Sequence, residues 1–78
     1  MSFSLRPVRV ATGLDEDGLL VFADDRLVAV LVKLSDAHEE LGVRGHWFLE
    51  TGYGPLNTRE DPIFPDLDAA QAWIKERL

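Results

Sequence analysis

The stretch LLVFADDRLVAVLVKL, residues 19–34, decides how this chain folds. Two apolar runs rich in Val and Leu flank the acidic pair Asp24-Asp25. Runs of this length and β-branched content, bounded by turn residues, read as strands, and a two-residue connection between them reads as an antiparallel hairpin. Pairing about Asp24-Asp25 would set Ala23 opposite Arg26, Phe22 opposite Leu27, Val21 opposite Val28 and Leu20 opposite Ala29. Side chains alternate along a strand, so one face is expected to collect Leu20, Phe22, Leu27, Ala29 and Leu31. The other is expected to collect Leu19, Val21, Val28, Val30, Val32 and Leu34. An antiparallel sheet with one wet face shows polar residues on that face, whereas here neither face turns polar before Lys33. Both faces therefore need a cover.

Outward from this hairpin the chain supplies further elements but no repeat, low-complexity tract or linker. On the N-terminal side, residues 8–11 read as an edge strand, because Pro7 lacks the donor that a central strand would need. Residues 12–18, TGLDEDG, read as a polar turn. On the C-terminal side, residues 35–45 offer a single helical turn in a connecting loop, with Asp36 and Glu39 as a capping box and Gly42 as its exit. Residues 46–51, HWFLET, return as a third strand with Trp47 and Leu49 on one side and His46, Phe48 and Glu50 on the other. Residues 52–65 are rich in Gly, Pro, Asn and Asp yet carry Tyr53, Leu56, Ile63 and Phe64, the composition of an ordered loop packed by its own side chains. Asp66 then caps a helix over LDAAQAWIKERL, with Asp68 in its first turn and Lys75 and Arg77 in its last. Its apolar stripe is Leu67, Ala70, Trp73, Ile74 and Leu78.

The expected fold is α+β: a single domain over residues 1–78, with an antiparallel sheet of three to four strands in β-β-β-α order. The strand from residue 26 to 34 sits in the middle of the meander, a further N-terminal strand sits at the edge, and the one C-terminal helix packs on one face. A helix of about twelve residues spans about 18 Å and covers one face of such a sheet but not both. The second face calls for residues 1–11 or 53–64 to fold over it, or for a second molecule. The reading favours a homodimer, or else another protein, with Val21, Val28, Val30, Val32 and Leu34 as the interface.

With 78 residues the core is small, and the absence of cysteine excludes disulfides and thiolate metal sites as staples. Fourteen acidic against eight basic residues give a net charge of −6, which repels phosphate backbones and argues against nucleic-acid binding. Met1 is followed by SFSLRPVRVA, which lacks the apolar core of a secretory signal, and no run approaches a membrane span, so no membrane partner and a cytoplasmic location are expected.

Chemistry-bearing patterns are weak throughout. Residues 15–18, DEDG, place Asp15 and Asp17 ahead of Gly18 as in a calcium loop, but Gly13 stands where the first carboxylate belongs and Asp24 where the bidentate Glu belongs. His38, Glu39, Glu40 and His46 match no zinc spacing. Ser35 lacks a nucleophile-elbow context, and the GYG of residues 52–54 is followed by Pro55, which removes a phosphate-binding donor. The expectation is thus no catalytic residue, no cofactor and no metal. As an alternative, His46, Trp47 and Tyr53 could line a pocket for a small apolar ligand or serve an accessory enzyme domain. An acidic inhibitor or nucleic-acid mimic ranks third, and would need Asp24, Asp25, Glu39, Glu40 and Glu60 gathered on one patch.

Overall fold

The computed structural model describes residues 2–13, 16–34, 45–60 and 62–78. Within them, β1 (Phe3–Arg9), β2 (Asp17–Ala23), β3 (Arg26–Lys33), β4 (Trp47–Gly52) and β5 (Ile63–Phe64) form one antiparallel sheet in the order β1-β2-β3-β4-β5. A 3-10 turn, Gly54–Leu56, separates β4 from β5, and α1 (Leu67–Arg77) closes the chain. This is the expected α+β meander with β3 at its centre. The sheet has five strands instead of three or four, because residues 63–64 inside the presumed loop pair with Trp47 and Phe48.

β1 begins five residues earlier than the expected edge strand at 8–11, ends at Arg9, and contains Pro7. The reason lies in its hydrogen-bond parity. The N–H of Val10 donates to the Glu16 carbonyl and that of Asp24 to the Ser2 carbonyl, both at 2.7 Å, so the even-numbered residues of β1 aim their backbone groups at β2. Pro7 faces Leu19 at an odd position, where the backbone points away from the sheet and no ladder bond is lost.

The hairpin turn forms at Asp24-Asp25 as the sequence implies, with Ala23 opposite Arg26 and Phe22 opposite Leu27. Asp24 adopts φ 58°, a left-handed conformation that Asp tolerates better than most residues. Its carboxylate accepts a hydrogen bond from the Ser2 N–H at 3.0 Å, fastening β1 to the turn.

Beyond Leu27 the expected register fails. Val21 pairs with Ala29, and Leu20 with Val30, because Val28 is an extra residue bulged out of β3. Every side chain after it changes face. One face of the hairpin therefore carries Leu19, Val21, Ala29 and Leu31, and the other carries Leu20, Phe22, Leu27, Val30 and Val32. A second irregularity leaves Glu50 as the extra residue of β4, so Leu49 pairs with Leu31 and Thr51 with Val30.

The helix packs on the face of Val21, Ala29 and Leu31. Asp66 caps it by accepting from the Ala69 N–H at 2.8 Å, and Ala70 and Ile74, both fully buried, join Leu49, Leu56 and Phe64 in the core. Trp73 packs its ring 5.6 Å from that of Phe64, and Lys75 lies 5.2 Å from the Phe3 ring centroid at the far edge. Leu78, expected on the apolar stripe, is exposed.

The 3-10 turn reinforces the same face. Ala29 and Gly52 stand opposite each other on it, and these two small residues make the hollow that Leu56 fills with no exposed surface. A β-carbon on Gly52 would collide with the Leu56 carbonyl group.

Candidate interaction surface

Helix and 3-10 turn thus share one face of the sheet, and among the described residues no element lies over the other. β1 contributes Ser4, Arg6 and Val8 to that second face, β2 contributes Leu20 and Phe22, and β3 contributes Leu27 and Val30. Phe48 and Thr51 extend it across β4, and Ile63 across β5. Leu20, Phe22, Leu27, Val30 and Phe48 are half-buried, and Ile63 is exposed. Val32 and Leu34 at one end of β3 are buried, although neither belongs to the main core cluster. Gly18 faces Val32 there, and its hydrogen side chain lets the Leu31 carbonyl and the Val10 methyl approach to distances a β-carbon would forbid.

Two segments were expected as possible roofs for this face, and their described strand and 3-10 residues lie elsewhere. Residues 3–9 extend the sheet sideways as its edge strand, and residues 54–56 pack on the helical side.

Charge is sparse on the second face. Arg6 is its cation, with the guanidinium carbon 5.5 Å from the centroid of the Phe22 ring on the neighbouring strand. No register position on this face is a carboxylate. Among the described acidic residues, Asp24 and Asp25 sit in the β2–β3 turn, Asp68 and Glu76 in the helix, Glu50 in the β4 bulge and Asp17 on the opposite face.

The residues singled out from sequence fall as follows. Val30, Val32 and Leu34 lie on or beside the second face, but Val21 is fully buried against the helix and Val28 occupies the bulge and packs on the core, so the five do not share one surface. Leu20, Phe22 and Leu27 take the places that Val21 and Val28 were expected to hold. Nothing local in the sequence marks Val28 as the inserted residue.

The proposed pocket trio also separates. Trp47 opens β4 and His46 precedes it, its carbonyl accepting from Leu34 N–H at 2.8 Å, whereas Tyr53 follows the far end of the strand and donates to Val28. The strand between them is roughly 20 Å long. Trp47 instead borders a shallow groove of about 500 Å³ to which the helix contributes no lining residue, with Pro7, Leu19 and Lys33 around it. Arg9 and Asp17 edge this groove. The Arg9 guanidinium donates to Glu16 at 2.8 Å, and this bond, with the nearby Asp17 charge, holds its proton more tightly than usual.

His38, Glu39, Glu40 and Ser35, with the expected helical turn, lie outside the described residues, as does Asp15. Asp17 and Gly18 are strand residues and not part of a loop. Asp24-Asp25 form the β2–β3 turn, and Glu60 lies between the 3-10 turn and β5. Among the described residues no group of three or more His, Asp or Glu side chains could hold a metal ion, and no helix is long and apolar enough to cross a membrane. The chain matches no family model, no curated protein and no solved structure.

Proposed function

We propose that this acidic protein is a cytoplasmic interaction module, without catalysis of its own, that self-associates through the second face of its sheet. The observation that supports the reading is that, among the described residues, the two covering elements, α1 and the 3-10 turn, lie on one face, while Leu20, Phe22, Leu27 and Val30 line the other. Side chains of this size each yield roughly 1.5–3 kcal/mol when removed fully from water, a sizeable share of the stability open to so small a domain. Half-buried residues retain part of that gain for a partner to collect.

The patch covers about 350 Å² if five residues of each of β1–β4 and the two of β5 are counted at standard sheet spacings. Two copies would hide roughly 700 Å² or slightly more, at the weak end of specific interfaces, which run from about 1,000 Å². A pair this small is expected to be weak and to populate only as concentration rises.

Sedimentation velocity from low to high micromolar concentration tests this: the average mass should climb from 8.7 kDa toward twice that value. Val30→Asp should hold the protein at the monomer mass. Val30→Thr keeps the shape and strand propensity of the side chain, and should weaken association about tenfold or more by burying two hydroxyls without partners. A wild-type protein that stays monomeric throughout refutes the reading.

The groove beside Trp47 favours a second reading, capture of a small apolar ligand against Pro7 and Leu19. Quenching or blue-shift of tryptophan emission on titration with short-chain alcohols or indole, lost in Trp47→Leu, would support it. An unchanged spectrum removes it.

A further inference from the structure

The way the sheet ends says how a second copy can attach. An antiparallel sheet can grow either by stacking its face on another sheet or by continuing its hydrogen-bond ladder from an edge strand. In this protein both edges are obstructed. At one edge, the outward-pointing backbone positions of β1 are Phe3, Leu5, Pro7 and Arg9, by the parity that the Val10–Glu16 and Asp24–Ser2 hydrogen bonds impose. Two copies of β1 paired about Leu5 would set Pro7 of each opposite Phe3 of the other. There the pyrrolidine ring removes a donor and fills the space the new strand needs, at both ends of the ladder. At the other edge, β5 is only two residues long, and Pro62 and Pro65 flank it directly. A strand that short gives an incoming chain almost no ladder to extend.

Among the described residues the face has neither obstruction. It is largely apolar, with Arg6 as its charge, and no carboxylate stands at its register positions, so two chains of charge −6 can meet there without setting carboxylates against each other. A basic partner protein, which the net charge would otherwise attract, finds no carboxylate at the paired strand positions of this face among the described residues. A second copy offers the matching flat apolar surface.

Resting on the self-association proposed above, we infer that two copies stack sheet on sheet into a closed pair, and that Pro7 is the residue that stops this pair from growing edge to edge. The expected particle has four layers, helix, sheet, sheet and helix, with the two sheets about 10 Å apart. Pro7 contributes no contact to the stacked interface, since its side chain lies on the helical side, beside Leu19. Its role is confined to the rim, and that separates it from the face residues by experiment.

Pro7→Val restores the outward donor with a residue suited to strands, and Pro7→Thr does the same with a more soluble side chain should the first variant fail to fold. Wild type, each Pro7 variant and Val30→Thr are compared by light scattering after size exclusion across a hundredfold concentration range, with tryptophan emission confirming the fold. Wild-type mass should level off at the dimer, and the Pro7 variants should pass it, to tetramer and beyond, as concentration rises. A wild-type mass that climbs past the dimer overturns the inference, and so do Pro7 variants that level off where wild type does. The two readings fail differently. A monomeric wild type with pairing Pro7 variants refutes the face and upholds the edge, whereas dimers in both refute the edge and uphold the face.

Discussion

Replacing Gly52 by Ala adds one methyl group, yet the structure assigns it a cost typical of removing a whole core side chain. The new β-carbon would meet the carbonyl oxygen of Leu56 well inside contact distance, with the carbonyl carbon at 2.7 Å and the Leu56 β-carbon at 3.0 Å. Two of these three atoms are backbone, so no rotamer change relieves the clash. The 3-10 turn must lift away from β4, which draws Leu56 from a site where it is fully buried between Ala29, Gly52 and the helix. Losing a buried Leu costs about 2–5 kcal/mol, and partial withdrawal sets the expectation near the lower half, roughly 2–3 kcal/mol. The whole domain commands about 4–12 kcal/mol at 0.05–0.15 kcal/mol per residue. Urea unfolding followed by the emission of Trp47 and Trp73, at a concentration where wild type is monomeric, measures the change. The mechanism makes a sharper statement through a double-mutant cycle with Leu56→Ala. If Gly52→Ala acts by displacing Leu56, the two losses overlap, and the double variant should be more stable than additivity predicts by 1 kcal/mol or more. A Gly52→Ala protein within about 0.5 kcal/mol of wild type, or strict additivity in the cycle, refutes the close-approach argument.

Other consequences are read more simply. Asp66→Ala removes the acceptor for the Ala69 N–H and should cost about 1 kcal/mol in chemical denaturation, while Asp66→Ser should recover most of it; equal stability of all three would show that the cap contributes nothing. Because the second face carries no carboxylate at its register positions, raising sodium chloride from 50 to 500 mM should leave the dissociation constant of the proposed dimer unchanged or lower it, and marked weakening would indicate an ionic interface instead. Asp24→Ala takes away both the acceptor for the Ser2 N–H and a residue tolerant of φ 58°, so thermal unfolding should occur several degrees lower, with Asp24→Asn close to wild type.

Local chemistry wrote much of this fold into the sequence. Alternating or continuous apolar runs broken by Gly, Pro and Asp placed β2, β3 and β4, the pair Asp24-Asp25 placed their turn, and Asp66 placed the start of the helix, since each depends on groups a few residues apart. The surplus of apolar residues in the hairpin also stated that a single short helix could cover only one side. What tertiary structure alone decided was which residues lie on which side. Val28 is chemically indistinguishable from Val30 and Val32, and it bulges because doing so turns Ala29 toward Gly52, where Leu56 needs room. That requirement comes from a segment more than twenty residues away. One inserted residue exchanged the two face lists beyond it, moving Val21 into the core and Phe22 to the open side. In the same way, Pro7 was legible as an edge residue, but only the parity of the β1–β2 ladder shows its ring pointing off the sheet, where it costs the fold nothing and obstructs a neighbour.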